Sequence, residues 1–340
     1  MERRNEKKDL SKMLENDGVT KYELIGKIGQ GAYGQVFKVK SRLNEEVFAL
    51  KKVAFKKSHK HKKLAQREML TLFAMKHKNV VKISDAFPSV DYSFYYLVLE
   101  FCEYDLSQIL GCRHVKFLLP DIKAILKQLF EGLSHLHQHE FMHRDIKPAN
   151  LLLTKEGELK IGDFGMSRVL KEKLPNDDTP GTYTPRVVTL WYRAPEVLLS
   201  QSQYGTAVDM WSAGCVMAKM FTRYPIFPGE SEIHQLDLIT SLCGSINSES
   251  YPDSENIPVL ANLRLPGNRV RKLSRTIKRV VKDDNAMDLI EGLLTLDPHS
   301  RICATASLSH QFFKAEPMPA DLAEMGLRFR QAMGAPSTSR

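Results

Sequence analysis

The sequence predicts an α+β fold of two lobes, in which a small antiparallel β-sheet with one key helix precedes a mainly helical lobe. Three observations predict it. The chain has 340 residues, more than one ordinary hydrophobic core holds. Several segments between residues 22 and 99 alternate apolar and polar side chains, as half-buried strands do. From Pro120 onward, apolar side chains recur at helical spacing.

These patterns divide the chain into four predicted parts. We expect a flexible N-terminal extension with one helical turn over residues 1–20, a first lobe over 21–100, a second lobe over 101–315 and a polar, mobile tail over 316–340.

The composition, with 43% hydrophobic and 26% charged residues, is typical of a soluble globular chain. No apolar run reaches membrane-spanning length, and the N-terminus lacks the apolar core of a signal peptide, so we expect no membrane contact and a cytosolic or nuclear protein. Five cysteines without CxxC spacing favour reduced thiols.

The net charge of +9 favours acidic partners. The basic run 56–63 is either solvated or used for nuclear import or phosphate contact.

In the first lobe, strand-like segments flank the glycine-rich turn 29–36, which reads GxGxxGxV. Because the residues after the turn alternate as a strand, we predict a hairpin lid over nucleotide phosphates. The strand 46–51 places Lys51 on one face and Lys52 on the opposite, solvated face. A helix over 64–72 turns Glu68 inward, where it would pair with Lys51. Two further strands, 79–83 and 94–99, complete this lobe, and residues 100–106 are predicted to form the hinge between the lobes.

The second lobe begins with a helix that runs from Pro120 to about Leu136. A hairpin with its turn at 155–157 follows, then a helix over 208–218 that is apolar nearly all round and therefore buried. Two more helices are predicted around 233–243 and 286–296. Three histidines at 135, 137 and 139 do not share one helical face, so we interpret them as surface or capping residues rather than metal ligands.

The stretch 143–150, His-Arg-Asp-Ile-Lys-Pro-Ala-Asn, precedes Asp163-Phe164-Gly165 by one short hairpin. The two motifs match the catalytic loop and the metal-binding motif of protein kinases. Phosphoryl transfer passes through a highly charged transition state, so the protein mainly positions groups and charges. Asp145 would take the proton of the substrate hydroxyl, Lys147 would contact the transferred phosphate, and Asn150 and Asp163 would bind Mg²⁺.

Residues 22–313, including Ala194-Pro195-Glu196, resemble eukaryotic protein kinases, and the segment 184–193 is similar to the activation segment of the cyclin-dependent kinases. The resemblance implies the bilobal eukaryotic protein kinase fold and Ser/Thr kinase activity with ATP and Mg²⁺. It implies that ATP is bound by residues of the lid, the lysine strand, the hinge and the metal motifs. These are Ile28, Gly29, Gly31, Gly34, Val36, Ala49, Lys51, Glu100, Cys102, Asn150 and Asp163.

The same resemblance implies a regulatory switch. Thr184 matches the activating phosphorylation site, and Arg67, Arg144 and Arg168 match the three arginines that bind its phosphate. Thr189 matches the residue that contacts Asp145 and Lys147. Glu196 and Arg301 match a structural ion pair outside the catalytic set. Tyr33 matches an inhibitory phosphorylation site of cell-cycle relatives but is equally well a plain lid residue.

Three shorter strings, 101–106, 234–246 and 312–313 with 316–319, are similar to the transcription-elongation branch, which forms the catalytic subunit of positive transcription elongation factor b. This resemblance implies a nuclear enzyme with a T-type cyclin that acts on Ser-Pro and Thr-Pro sites, including those of the RNA polymerase II C-terminal repeats. The helix 63–68 departs from the usual cyclin-contacting sequence, and Leu99 stands where these kinases usually carry phenylalanine.

Three alternatives stay open. One is another cyclin-dependent kinase, of the cell-cycle or a different transcriptional type. Another is a nucleotide-binding scaffold without catalysis, which would predict substitutions among Lys51, Asp145, Asn150 and Asp163, where none is seen. The third is a nucleic-acid-binding protein, but the chain has no recognisable recognition module, so contact with RNA or DNA would be secondary.

Overall fold

The computed structural model describes residues 10–17, 19–31, 34–54, 69–170, 190–199, 204–263 and 265–334. The chain divides into two compact units, each with its own interior. The first unit contains residues 1–103 and 160–167, and the second contains 104–159 and 168–340. In the part of the chain that is described, no helix is long and apolar enough to cross a membrane.

The first unit is built on a five-stranded antiparallel sheet. Its strands, in chain order from β1 to β5, are Tyr22–Gly31, Gly34–Ser41, Val47–Ala54, Ile83–Pro88 and Phe94–Glu100. Their order across the sheet is β1-β2-β3-β5-β4. One face of the sheet forms a core around Phe37, Leu50 and Tyr96, each fully buried. The predicted antiparallel sheet is confirmed, because the period-two pattern of these segments matches strands with one buried face.

Residues 79–83 were predicted as a strand, but β4 begins only at Ile83. The preceding residues pair with a different segment. Val80 forms an isolated parallel bridge with Ile161, the Val81 N–H donates to the Ile161 carbonyl at 2.9 Å, and the Ile161 N–H donates to the Asn79 carbonyl at 2.9 Å. Tertiary pairing therefore overrides the local strand pattern here.

The flexible extension predicted for residues 1–20 is wrong for residues 10–17 and 19–20. Residues 10–16 form helix α1, and Leu14 and Val19 are 3% and 2% exposed in the same core as the sheet. The prediction that Lys52 is solvated is also wrong, because Lys52 is 7% exposed and pairs with Asp17. The described part of helix α2, residues 69–74, completes the described helices of this unit, with Leu72 buried.

The second unit is mainly helical, as predicted. Its described helices, α3 to α13 in chain order, are Leu106–Gly111, Leu119–Gln138, Pro195–Leu198, Ala207–Thr222, Glu232–Cys243, Pro258–Asn262, Leu273–Ile277, Asp284–Leu293, Ala304–Leu308, Gln311–Lys314 and Leu322–Gly334. Helix α4 is amphipathic and α6 is buried nearly all round, because apolar residues cover most of its circumference.

Short strands and 3₁₀ turns lie in the segments that connect these helices along the chain. The strands, β6 to β10, are Tyr104–Asp105, Phe141–Met142, Leu151–Leu153, Leu159–Ile161 and Arg168–Val169. Within the second unit, β6 pairs with β8 and β7 pairs with β10, both antiparallel. The 3₁₀ turns are Pro148–Asn150, Phe164–Met166, Leu190–Tyr192 and Pro252–Asn256.

The predicted mobile tail is a docked helix as far as Gly334. In α13, Met325 and Phe329 are 0% and 3% exposed, and the Phe329 ring lies 5.2 Å from that of Phe117. The Arg328 guanidinium pairs with the buried carboxylate of Asp121. The polar composition of 316–340 predicted mobility, but a stripe of apolar residues on one helical face is enough to dock α13.

Candidate active site

Lys51 lies in the middle of β3 and is 9% exposed. Its Nζ donates to Oδ1 of Asp163 at 2.8 Å, within the first unit. Asp163 follows β9 with φ +60°, in the left-handed region that a residue with a side chain rarely adopts. The surrounding structure maintains this strained backbone, as it often does at functional sites. Two predicted site residues, 112 positions apart, are therefore in direct contact.

The predicted partner of Lys51, Glu68, lies outside the described residues. The same holds for Arg67, Thr184 and Thr189. These four residues stay predictions.

The strands around the glycine-rich turn form the predicted hairpin, with Gly29 opposite Val36 and Gly31 opposite Gly34. A side chain does not fit at Gly34, since a Cβ there would lie 1.9 Å from the carbonyl oxygen of Lys52. Ile28 is half exposed at 48%, and Ala49 pairs with Leu99 across β3 and β5.

At the predicted hinge, the Glu100 carboxylate accepts the Lys82 N–H at 2.7 Å and lies 3.3 Å from Nζ of Lys160. The backbone N–H of Glu100 donates to the Lys82 carbonyl at 2.9 Å. An adenine contact at Glu100 would therefore use the backbone carbonyl rather than the N–H. Cys102 is half-buried two residues further on.

In the second unit, the predicted catalytic loop brings three functional side chains together. The Lys147 ammonium lies 2.7 Å from Oδ2 of Asp145. The Asn150 side-chain NH₂ donates to the same Oδ2 and to the Asp145 backbone carbonyl, each at 2.8 Å. Because the 3₁₀ turn Pro148–Asn150 starts with proline directly after Lys147, the chain folds back toward Asp145. The predicted base, its cationic neighbour and a predicted metal ligand thus form one network.

Sequence reasoning missed the residue that holds this loop in place. Asp209 of α6 is fully buried, and its carboxylate accepts the backbone N–H of His143 at 2.9 Å and that of Arg144 at 2.7 Å. The His137 ring lies 3.0 Å from the same carboxylate. Burial opposes ionisation, yet the hydrogen bond and charge of His137, together with His143, lower the pKa of Asp209 below its ordinary value.

Arg144 itself has φ +67°, a conformation that the anchor at Asp209 maintains one residue before Asp145. One signal for Asp209 was present in the sequence: it is a lone carboxylate in a helix that is otherwise apolar nearly all round. A buried acid requires partners, and here they are the backbone of the loop.

Two of the three predicted phosphate-binding arginines are described. The Arg144 guanidinium donates to the Tyr204 hydroxyl at 2.8 Å. Arg168 lies in β10, which pairs with β7 so that Arg168 is opposite Met142, two residues before Arg144. The backbone therefore brings the two arginines to neighbouring positions. The ion pair between Glu196 and Arg301 has both side chains fully buried, with an N···O distance of 2.7 Å.

Comparisons with known proteins agree with this geometry. The protein kinase domain model matches residues 22–313. Cyclin-dependent kinase 9 from Xenopus tropicalis is 43% identical over 328 residues, covering 93% of this chain and 87% of the relative. The human protein of that name is 43% identical over 91% of this chain and 84% of its own length. The crystal structure of the yeast RNA Pol II CTD kinase CTDK-1 complex matches with a TM-score of 0.79 at 32% identity, covering 89% of this chain and 96% of that one.

The matched region contains both the Lys51–Asp163 contact of the first unit and the Asp145 network of the second. The identity is well above 30% over more than nine-tenths of the chain. The chain therefore belongs to the protein kinase family and, within it, to the cyclin-dependent Ser/Thr kinases.

Proposed function

We propose that this chain is the catalytic subunit of a nuclear cyclin-dependent kinase that phosphorylates the C-terminal repeats of RNA polymerase II at Ser-Pro and Thr-Pro sites and so promotes transcription elongation. The observation that carries the proposal is the network in which Lys147 and Asn150 both contact the carboxylate of Asp145. The relatives named above support the substrate class, since one is itself a Pol II CTD kinase.

The site residues fit ATP and Mg²⁺ by their chemistry. Carboxylate and amide oxygens are ligands that Mg²⁺ accepts, and we propose Asp163 and Asn150 for that role. The ammonium of Lys51, mostly buried and already held by Asp163, suits phosphate oxygens. When bound, ATP with its metal supplies the phosphoryl group.

The chain's own residues then position the substrate hydroxyl and neutralise charge on the transferred phosphate. Asp145 would accept the hydrogen bond of the substrate hydroxyl at its carboxylate and take the proton there. Lys147, 2.7 Å from that carboxylate, would place a positive charge beside the phosphate being transferred. We assign Thr189 to the same contacts as a residue that orients this pair, and the backbone of Glu100 and Cys102 to the adenine.

We propose that activation uses two inputs. A cyclin, of the T type by resemblance, would push the helix that carries Glu68 toward Lys51. Phosphate on Thr184 would bind Arg67, Arg144 and Arg168, because its added charge of about −1.5 to −2 requires several cations. For Thr184→Ala we expect a large loss of activity on a repeat peptide, and equal rates would rule out this switch.

The main test uses the purified chain with its cyclin and a polymerase-repeat peptide. We expect Asp145→Asn to lower kcat by about 10²- to 10⁴-fold, the range that a positioned general base contributes. Lys51→Ala and Asp163→Asn should also lose turnover while keeping the far-UV circular dichroism of the wild type. Lys278→Ala, which removes an exposed ammonium, serves as the control.

Substrate choice is tested in the same assay. A repeat peptide in which alanine replaces the proline after each acceptor serine should be a poor substrate. Undiminished turnover of the Asp145 or Asp163 variant would contradict the catalytic assignment. Equal use of the two peptides would contradict the proline-directed assignment alone.

A further inference from the structure

Asp17 lies directly after helix α1 and outside the kinase domain match, which begins at residue 22. Its carboxylate accepts hydrogen bonds from two side chains of the central sheet. The Lys52 ammonium lies 2.5 Å away, and the Tyr96 hydroxyl donates to the same oxygen. Its backbone carbonyl accepts the Val90 N–H at 3.2 Å, so the segment is also bound by main chain to the loop that connects β4 and β5.

The Lys52 ammonium is enclosed rather than solvated. It lies 3.9 Å from the ring centre of Phe94 and 5.6 Å from that of Tyr96, which is itself fully buried. Tyr96 is the direct cross-strand partner of Lys52 between β3 and β5. A cation in such a place requires a counter-charge, because an uncompensated buried charge is strongly destabilising. Asp17 supplies that charge.

The backbone of Lys52 adjoins two parts of the candidate active site, Lys51 and the glycine-rich hairpin. It is the neighbour of Lys51 on β3, and successive strand residues point to opposite faces of the sheet. Its carbonyl oxygen is the atom that a Cβ at Gly34 would meet at 1.9 Å, so the end of the glycine-rich hairpin packs against it. A shift of Lys52 would therefore move both Lys51 and the strand after the glycine-rich turn.

We propose that Asp17 is a positioning residue for nucleotide binding: by holding Lys52 on one face of β3, it fixes the strand that presents Lys51 on the other. A segment that precedes the kinase domain thereby sets the affinity for MgATP. The proposal rests on the role proposed above for Lys51. A purely structural role for Asp17 would predict lower stability of the fold with unchanged nucleotide affinity.

The experiment is calorimetric titration of MgATP into the full chain with its cyclin, well below the unfolding midpoint of each variant. We expect Asp17→Asn to raise the Kd for MgATP about ten-fold, less than the roughly 10²-fold cost of a full 1 Å misplacement of a functional group, because β3 itself stays paired in the sheet. Asp17→Glu keeps the carboxylate and should recover most of the affinity. Glu15→Gln makes the same charge change at an exposed position of α1 and should bind like the wild type.

Tyr96→Phe is the second variant, because it removes one hydroxyl from the network without changing the shape of the buried ring. It should raise the Kd about three-fold, since Lys52 still holds Asp17. Unchanged affinity in Asp17→Asn and Tyr96→Phe, or the same loss in Glu15→Gln, would overturn the proposal. A wild-type chain that binds no MgATP would instead contradict the proposed function, so the two failures are distinguishable.

Discussion

Replacing Asp209 by asparagine tests how the catalytic loop is held. The substitution keeps the shape of the side chain and removes its charge. In the wild type, the Asp209 carboxylate accepts the backbone N–H groups of His143 and Arg144 and contacts the His137 ring. An asparagine has one acceptor oxygen and one NH₂, so at least one of these buried donors would face another donor. Hydrogen bonds to charged groups contribute about 1.5–3 kcal/mol each.

From these contacts we expect Asp209→Asn to lower the free energy of unfolding by about 2–4 kcal/mol. The left-handed backbone of Arg144 would lose its anchor, and Asp145, the next residue, would move with it. Misplacing a catalytic group in this way costs about 10²-fold in rate. Denaturant unfolding and kcat on a repeat peptide measure the two effects.

The pH dependence gives an independent check. Because the pKa of Asp209 is lower in the folded protein than in the unfolded chain, its contribution is fully present above about pH 4 and is lost as pH falls through the lowered value. The stability difference between wild type and variant should therefore shrink in acid. Asp288→Asn, whose side chain is 78% exposed, should change stability by less than about 0.5 kcal/mol. An Asp209→Asn enzyme with wild-type kcat and stability would refute the reasoning.

Three further predictions concern packing. Leu99→Phe should weaken binding of bulky ATP analogues, because Leu99 pairs with Ala49 beside the proposed adenine site, and unchanged affinity in competition assays would contradict it. Gly326→Ala should lower the free energy of unfolding, measured with denaturant, by about 1–3 kcal/mol, because the new Cβ would lie 2.7 Å from the Gly157 nitrogen. Gly334→Ala is the control and should leave stability unchanged, because a Cβ there has no atom within 4 Å. Arg301→Met should lower the free energy of unfolding by about 3–5 kcal/mol, because it leaves the Glu196 carboxylate buried and unpaired. The double variant Arg301→Met with Glu196→Leu should recover part of that loss in the same assay.

The sequence allowed the two-part α+β fold, the hairpin around the glycine-rich turn and the catalytic loop to be predicted, because each depends on residues close together in the chain. Asp145, Lys147 and Asn150 lie within six consecutive positions, so one tight turn is enough to bring their side chains into contact. The described parts of the two terminal segments were predicted wrongly for the opposite reason. Residues 10–17, 19–20 and 322–334 are polar in composition, and only the surfaces against which they pack make them ordered.

The residue types of the motifs determined by themselves that this chain is built for phosphoryl transfer, since that chemistry requires a base, an amine and two oxygen ligands in a set order. The strand pattern also separated Lys51 from Lys52, but only the tertiary structure decided that Lys51 contacts Asp163, that Lys52 is enclosed against Asp17 rather than solvated, and that Asp209 holds the catalytic loop. The physical reason is that counter-charges for buried groups come from residues 35 to 112 positions away. No local pattern records such a pairing.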